Sequence, residues 1–154
     1  MTDTAGAILE IRPGEITTDV PPADGPNLVF IGQCRTPWTT TKDCPRRGDL
    51  EGPLCQIIVD EVWVQALQGI GEHGYLQILY WMHRARRDLL LQSPKRNGKT
   101  IGTFAIRSPN RPNPIASSLV KLEKVEANVL HVRGLDCLDG TPLVDIKPDK
   151  CPHA

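Results

Sequence analysis

At 154 residues the chain is long enough for a single domain with a sizeable core. Its 40% hydrophobic and 23% charged content is that of a soluble globular protein. Eighteen basic residues balance eighteen acidic ones, so global charge selects no partner, and no apolar run approaches the ~20 residues that a membrane-spanning helix needs.

Residues 1–26 scatter Pro13, Gly14, Pro21, Pro22, Gly25 and Pro26 among acids and are expected to form a flexible N-terminal arm, with Ala7–Ile11 able to lie along the body. The domain proper is expected over residues 27–154. Leu28–Cys34, β-branched and aromatic, reads as the first core strand. Thr36–Gly52 is a long loop carrying Trp38, Pro45, Arg46 and Arg47; loops of this length inside a compact domain are functional or disordered. Leu54–Val59 is a second apolar run. Asp60 can cap a short helix over Glu61–Leu67, ended by Gly69 and Gly71.

Tyr75–His83 is the most strand-like stretch, and a polar, basic connection follows from Arg84 to Lys99. Ile101–Ile106 reads as a strand. It leads into Arg107–Pro114, where Pro109, Pro112 and Pro114 fix φ, remove donors and exclude both helix and central strand. A stiff loop carrying Arg107, Arg111, Asn110 and Asn113 suits an anion or polar ligand; composition alone favours a proline-rich connector with solvated arginines, since Pro and Asn are ordinary turn residues. Period-two alternation through Val120–Glu123 and Leu130–Arg133, turned at Ala127-Asn128, predicts an antiparallel hairpin. Asp136–Thr141 is a polar loop and Leu143–Ile146 a last short strand.

Short strands with Gly/Pro punctuation and few helices predict a mainly β fold: a small closed or partly open β-barrel of mostly antiparallel strands with one or two short helices. No Gly-x-Gly-x-x-Gly or phosphate-loop motif occurs, which removes the commonest nucleotide sites. The five cysteines include no Cys-x-x-Cys, so no zinc ribbon and no metal is expected. No secretory n-region and apolar h-region opens the chain, so the expectation is a cytoplasmic protein with reduced thiols.

Charge is uneven along the chain. Between His73 and Lys121 the only acid is Asp88, against Arg84, Arg86, Arg87, Lys95, Arg96, Lys99, Arg107 and Arg111. This block can meet a polyanion or be a solvated face balanced in space by the acidic flanks. Trp38 is placed to stack on a base, whereas Trp81, in a strand, is expected in the core.

Two strings carry a resemblance. Gly102-Thr103-Phe104-Ala105-Ile106-Arg107-Ser108-Pro109-Asn110-Arg111-Pro112-Asn113-Pro114-Ile115 and Leu135-Asp136-Cys137-Leu138-Asp139-Gly140-Thr141-Pro142-Leu143-Val144-Asp145-Ile146-Lys147-Pro148 resemble the hallmarks of the TsaA-like family (TrmO-type tRNA methyltransferases). Phe30-Ile31-Gly32 and the Pro45-Arg46 loop also fit. The resemblance implies a dimerising β-barrel, S-adenosyl-L-methionine bound near the dimer interface, and methyl transfer to the exocyclic nitrogen of threonylcarbamoyladenosine beside the tRNA anticodon.

The resemblance also implies site residues. Pro45, Arg46, Arg47, His83, Arg84, Arg107, Ser117, Leu135, Asp136, Leu138, Asp139, Gly140 and Thr141 match cofactor-binding positions. Arg86, Arg87, Arg111 and Asn113 are the candidates for the substrate's backbone. The chemistry is compatible: a methionyl carboxylate suits an arginine fork, and ribose hydroxyls suit a carboxylate such as Asp136 or Asp139. For both aspartates a turn or cap role is the alternative. Asp145 and His83 are candidates by type for a general base. The chain departs from the family pattern at Gly71–Tyr75, at the connector Leu91–Lys99 and at Ala116-Ser117-Ser118. A cofactor- or anion-binding module without catalysis is the second expectation.

Overall fold

The structure, a computed structural model, describes residues 10–149; Ala7–Leu9, named above, and Cys151, one of the five cysteines, lie outside the described residues. The chain divides into two units. One comprises Leu28–Trp81 and the chain from Ile115 onward. The other comprises the described residues up to Asn27 together with Met82–Pro114.

The first unit is a closed antiparallel barrel. Its strands are β2 (Gly32–Arg35), β3 (Cys55–Val59), β4 (Tyr75–Trp81), β7 (Ile115–Glu126), β8 (Val129–Arg133) and β9 (Thr141–Pro148). They are ordered β2-β3-β8-β7-β4-β9, and β9 pairs back onto β2. Closure leaves no unpaired strand edge. Alternation decides which face turns inward. Leu76, Ile78 and Tyr80 of β4, Cys55, Ile57 and Val59 of β3, and Leu130 and Val132 of β8 are buried, while their neighbours are half or fully exposed. Val120 and Leu143 complete this core. Each such aliphatic side chain taken from water contributes about 1.5–3 kcal/mol.

Most predicted strands are present, with shifted ends. Leu28, Val29 and Phe30 are exposed and lie outside the ladder. Barrel pairing starts with Ile31, whose N–H donates to Leu143 O at 2.9 Å and whose carbonyl accepts from Asp60 N at 2.9 Å. The Glu61–Leu67 helix is a 3-10 helix with no buried residue, and the Asp60 side chain does not cap it. Trp81, expected in the core, is half-buried at the end of β4, with its ring centroid 6.4 Å from that of Phe30.

The second unit holds a small sheet of β1 (Ile16–Thr17), β5 (Leu89–Gln92) and β6 (Ile101–Gly102), ordered β1-β5-β6. Part of the stretch expected as an arm is therefore a strand paired with β5. The polar connection expected over Arg84–Lys99 contains β5, in which Leu89 and Gln92 turn inward. The strand expected over Ile101–Ile106 stops at Gly102, and Thr103–Ala105 is a 3-10 turn. Thr103 causes the break: its buried hydroxyl donates to Leu89 O at 2.6 Å and accepts from Gln92 Nε2 at 3.0 Å. The turn leaves Phe104 80% exposed.

Within the barrel unit, the long loop after β2 returns against the chain leaving β8. A Cβ on Gly48 would collide with the carbonyl of Gly134, which itself takes φ +117°, open in practice only to glycine. Gly48→Ala is expected to destabilise the fold by about 1–3 kcal/mol through overpacking. The check is urea denaturation, in which the midpoint falls at constant slope; an unchanged midpoint would show that the loop yields without cost.

Candidate functional site

The segment linking β8 to β9 is built by alternation. Leu135, Cys137 and Leu138 are buried at 2%, 1% and 8% exposure, while Asp136, between the first two, and Asp139, after the last, are half-exposed. Gly134 and Gly140, both at positive φ, turn the chain at either end. Leu138 O closes the loop by accepting both the Thr141 N–H at 3.2 Å and the Thr141 hydroxyl at 2.6 Å.

Asp139 clamps this loop to the one that follows β2. Its Oδ1 accepts the Thr36 N–H at 3.0 Å and stands 3.3 Å from Arg35 Nε. Its N–H donates to Trp38 O at 2.8 Å. The Thr36 hydroxyl donates to Cys137 O at 2.7 Å, and Gly140 N–H donates to Cys34 O at 2.8 Å. Asp139 thus ties together two loops that are distant in the chain. The clamp also fixes the root of the loop that carries half-buried Pro45 and exposed Arg46 and Arg47. Among the described residues these two arginines make no ion pair.

Asp136 is placed differently. Its Oδ1 accepts the Tyr80 hydroxyl at 2.6 Å and the Ser118 hydroxyl at 3.4 Å, and the two hydroxyls lie 2.7 Å apart. No described residue donates to Oδ2. Tyr80 faces the barrel interior and is 2% exposed. Burial first, then the charge of Asp136, push its phenol far above the ordinary value, so it stays a donor to Asp136 at physiological pH. Neither Tyr80 nor Ser118 was singled out from the sequence. The available signal was a tyrosine at an inward-facing strand position, since a buried hydroxyl must find a partner.

The thiols near this site are protonated. Hydrogen bonding to Cys34, then burial, raise Cys137, and burial pushes Cys55 up to about 11. Protonated, buried thiols are poor nucleophiles and poor metal ligands. Among the described residues no His, Cys, Asp and Glu group is arranged to hold a metal ion.

Of the other predicted residues on the barrel, Ser117 is exposed on β7 and donates to Gln77 Oε1 at 2.8 Å. Asp145 on β9 accepts the Ile146 N–H at 2.9 Å and is ion-paired with Lys147 at 2.6 Å. His83, Arg84, Arg86, Arg87, Arg107, Arg111 and Asn113 belong to the second unit. There several of the arginines brace the proline-rich loop. Arg86 is paired with Asp88 through Nε and Nη2 at 2.7 and 2.9 Å, and its backbone N–H donates to Asn110 Oδ1. Arg87 donates to Pro112 O at 2.6 Å and to Asn113 Oδ1 at 3.4 Å. Arg111 donates to Ile106 O and Ser108 O at 3.0 and 2.8 Å. His83 and Arg84 are half-buried and Arg107 is exposed.

Three comparisons bear on this arrangement. The chain is 46% identical over 151 residues, 96% of its length and 86% of the relative's, to the "Probable S-adenosyl-L-methionine-binding protein VirR" of Rhizobium radiobacter. It is 42% identical over 86 residues to the tRNA (adenine(37)-N6)-methyltransferase of Mus musculus, a match that covers 54% of this chain and 20% of that enzyme. Its fold is similar to the crystal structure of TrmO from Pseudomonas aeruginosa, with TM-score 0.67 and 30% identity over 82% of this chain and 57% of that one. The chain therefore spans little more than half of that solved relative. Residues 33–150 match the tRNA-methyltransferase O N-terminal domain, a span that takes in the barrel, the clamp and the proline-rich loop; the chain belongs to that family.

Proposed function

We propose that the protein binds S-adenosylmethionine at the Leu135–Thr141 loop of the barrel and transfers its methyl group to tRNA, at the exocyclic nitrogen of threonylcarbamoyladenosine beside the anticodon. The observation that carries the cofactor reading is Asp136. Its Oδ1 is held by Tyr80 and Ser118 while Oδ2 receives no described donor, so an oriented carboxylate oxygen is available to a ribose hydroxyl. Arg46 and Arg47, exposed on the clamped loop, supply positive charge for a carboxylate or phosphate. The sulfonium is already an activated electrophile, so alignment of nucleophile, methyl and sulfur is the main demand on the protein. An amide-like nitrogen conjugated to a purine is a poor nucleophile and needs its proton removed; Asp145 and His83 are the groups of suitable type. A tRNA substrate and free thiols suit the cytoplasm. No helix among the described residues is long and apolar enough to cross a membrane.

The lengths of the relatives favour a second reading. The Rhizobium relative that this chain nearly spans is named as a cofactor-binding protein, whereas the mouse methyltransferase is matched over only a fifth of its length. A cofactor-binding module without catalysis has the same loop. Transfer of labelled methyl from S-adenosylmethionine to total tRNA separates the two. The proposed function expects label in the tRNA; cofactor binding with no transferred label establishes the module. Asp136→Ala is expected to weaken cofactor binding by about 1.5–3 kcal/mol, the range for a hydrogen bond to a charged group, as read by titration calorimetry. Unchanged affinity in a folded variant removes Asp136 from the site.

We also propose a homodimer with the proline-rich loop near its interface. In the second unit an apolar concavity of about 410 Å³ is lined by Leu89, Leu90, Phe104 and Pro112, beside the largely exposed Phe104 ring. Sedimentation at micromolar concentration is expected to give about twice the 17.0 kDa chain mass; a species of chain mass rejects the dimer.

A further inference from the structure

The basic block of the second unit separates into two kinds of cation. Arg86, Arg87 and Arg111 are engaged within the unit, where they hold carbonyls, Asn113 and Asp88, and of the three only Arg87 is exposed. Lys95, Arg96 and Lys99, at the tip of the β5–β6 hairpin, are exposed, and among the described residues none has an ion-pair partner. The tip is ordered. Arg96 N–H donates to Ser93 O at 3.1 Å, and Lys99 N–H donates to Asn97 Oδ1 at 3.1 Å. Arg96 takes φ +57°, a conformation in which glycine or asparagine is the ordinary choice, yet the residue there is an arginine.

A second segment braces this tip. The Glu15 carboxylate accepts the Arg12 N–H through Oε1 at 2.8 Å and the Ser93 N–H through Oε2 at 3.0 Å. Arg12 Nη1 donates to Ser93 O at 3.2 Å and Pro94 O at 3.4 Å, which brings a fourth cation to the base of the tip. Gly14, at φ +83°, runs so close beneath that a Cβ would stand 2.9 Å from Gly98 O. Beside the tip is a concavity of about 280 Å³ whose lining includes Lys95, Asn97, Lys99 and Thr100. Glu15, at the base of the tip, is engaged with backbone N–H groups.

We infer that the Lys95–Lys99 tip is a phosphate-backbone docking point for an RNA, held in place by Glu15 as a positioning residue; this rests on the reading of tRNA as substrate. A run of lysine and arginine on a braced turn, with an amide and a hydroxyl alongside, contacts phosphates without reading bases. Affinity gained there is salt-dependent through counterion release. An acidic protein segment would match the charge, but the tip shows only a small concavity and no exposed aromatic anchor of the kind that centres a protein interface.

The test is fluorescence anisotropy of labelled tRNA at two salt concentrations, using wild type, the Lys95→Ala/Arg96→Ala/Lys99→Ala variant and Glu15→Ala. With three phosphates contacted, the slope of log K against log salt should flatten in the triple variant by about 2, at roughly 0.7–0.9 per contact, while S-adenosylmethionine affinity stays at the wild-type value. Glu15→Ala raises net positive charge and would tighten binding to a polyanion if charge alone mattered. As a positioning residue its loss should instead weaken tRNA binding. If wild type binds tRNA and the triple variant matches its affinity and slope, the tip is a solvated turn and this inference alone falls. If wild type binds no tRNA, or binds anionic vesicles in its place, the tRNA reading fails and the inference with it.

Discussion

The pairing of β9 with β2 is the constraint on which the barrel and its site depend. It closes a six-strand ring from elements far apart in the chain, with Gly32 opposite Leu143 and Cys34 opposite Thr141. Closure brings the residue after β2 into reach of the loop that precedes β9, so that Thr36 finds Asp139 and Cys137. Without that ladder the Asp139 clamp could not form, and the loops bearing Trp38 and Asp136 would have no common frame. A side chain at Gly48 would displace the Trp38 loop from its other end.

Inside that ring lies the polar group of Tyr80, among buried side chains that are mostly aliphatic. A buried phenol without a partner costs more than its ring gains. Asp136 and Ser118 remove the cost and are themselves oriented by it. The site's carboxylate is therefore held by the core, so disturbance of Leu76 or Ile78 packing would be transmitted along β4 to Asp136.

Much of this was legible in the sequence, and what was missed has physical reasons. Alternation in Leu130–Arg133 identified a strand because one face is buried and the other partly wet. The proline-rich loop was legible because proline acts locally. β5 was missed since three leucines between Asp88 and Gln92 are too short a run to show a period against flanking charge. Ile101–Ile106 misled because the hydroxyl of Thr103 prefers the Leu89 carbonyl to a ladder position, a tertiary preference invisible in propensity. The site divides in the same way. Asp136 and Asp139 were indistinguishable by type, and only the fold shows that one clamps a loop while the other keeps an oxygen available. The roles of Arg86, Arg87 and Arg111 depend on which carbonyls the loop turns toward them, and composition carries no trace of that.

Strands β4 and β7 are neighbours in the ring, with Trp81 opposite Ile115, although Met82–Pro114 separates them in the chain. For the barrel alone, two antiparallel strands in that register need only a tight turn. Everything between them is additional to what the ring itself needs. The ladder ends on both sides of the graft, and the Met82 N–H closes its neck on Pro114 O at 2.8 Å. Such a splice lets descendants exchange, lengthen or decorate the inserted module while the barrel's core residues stay unchanged. Divergence in partner choice can then accumulate in one stretch of gene, leaving the loop that carries Asp136 under separate selection.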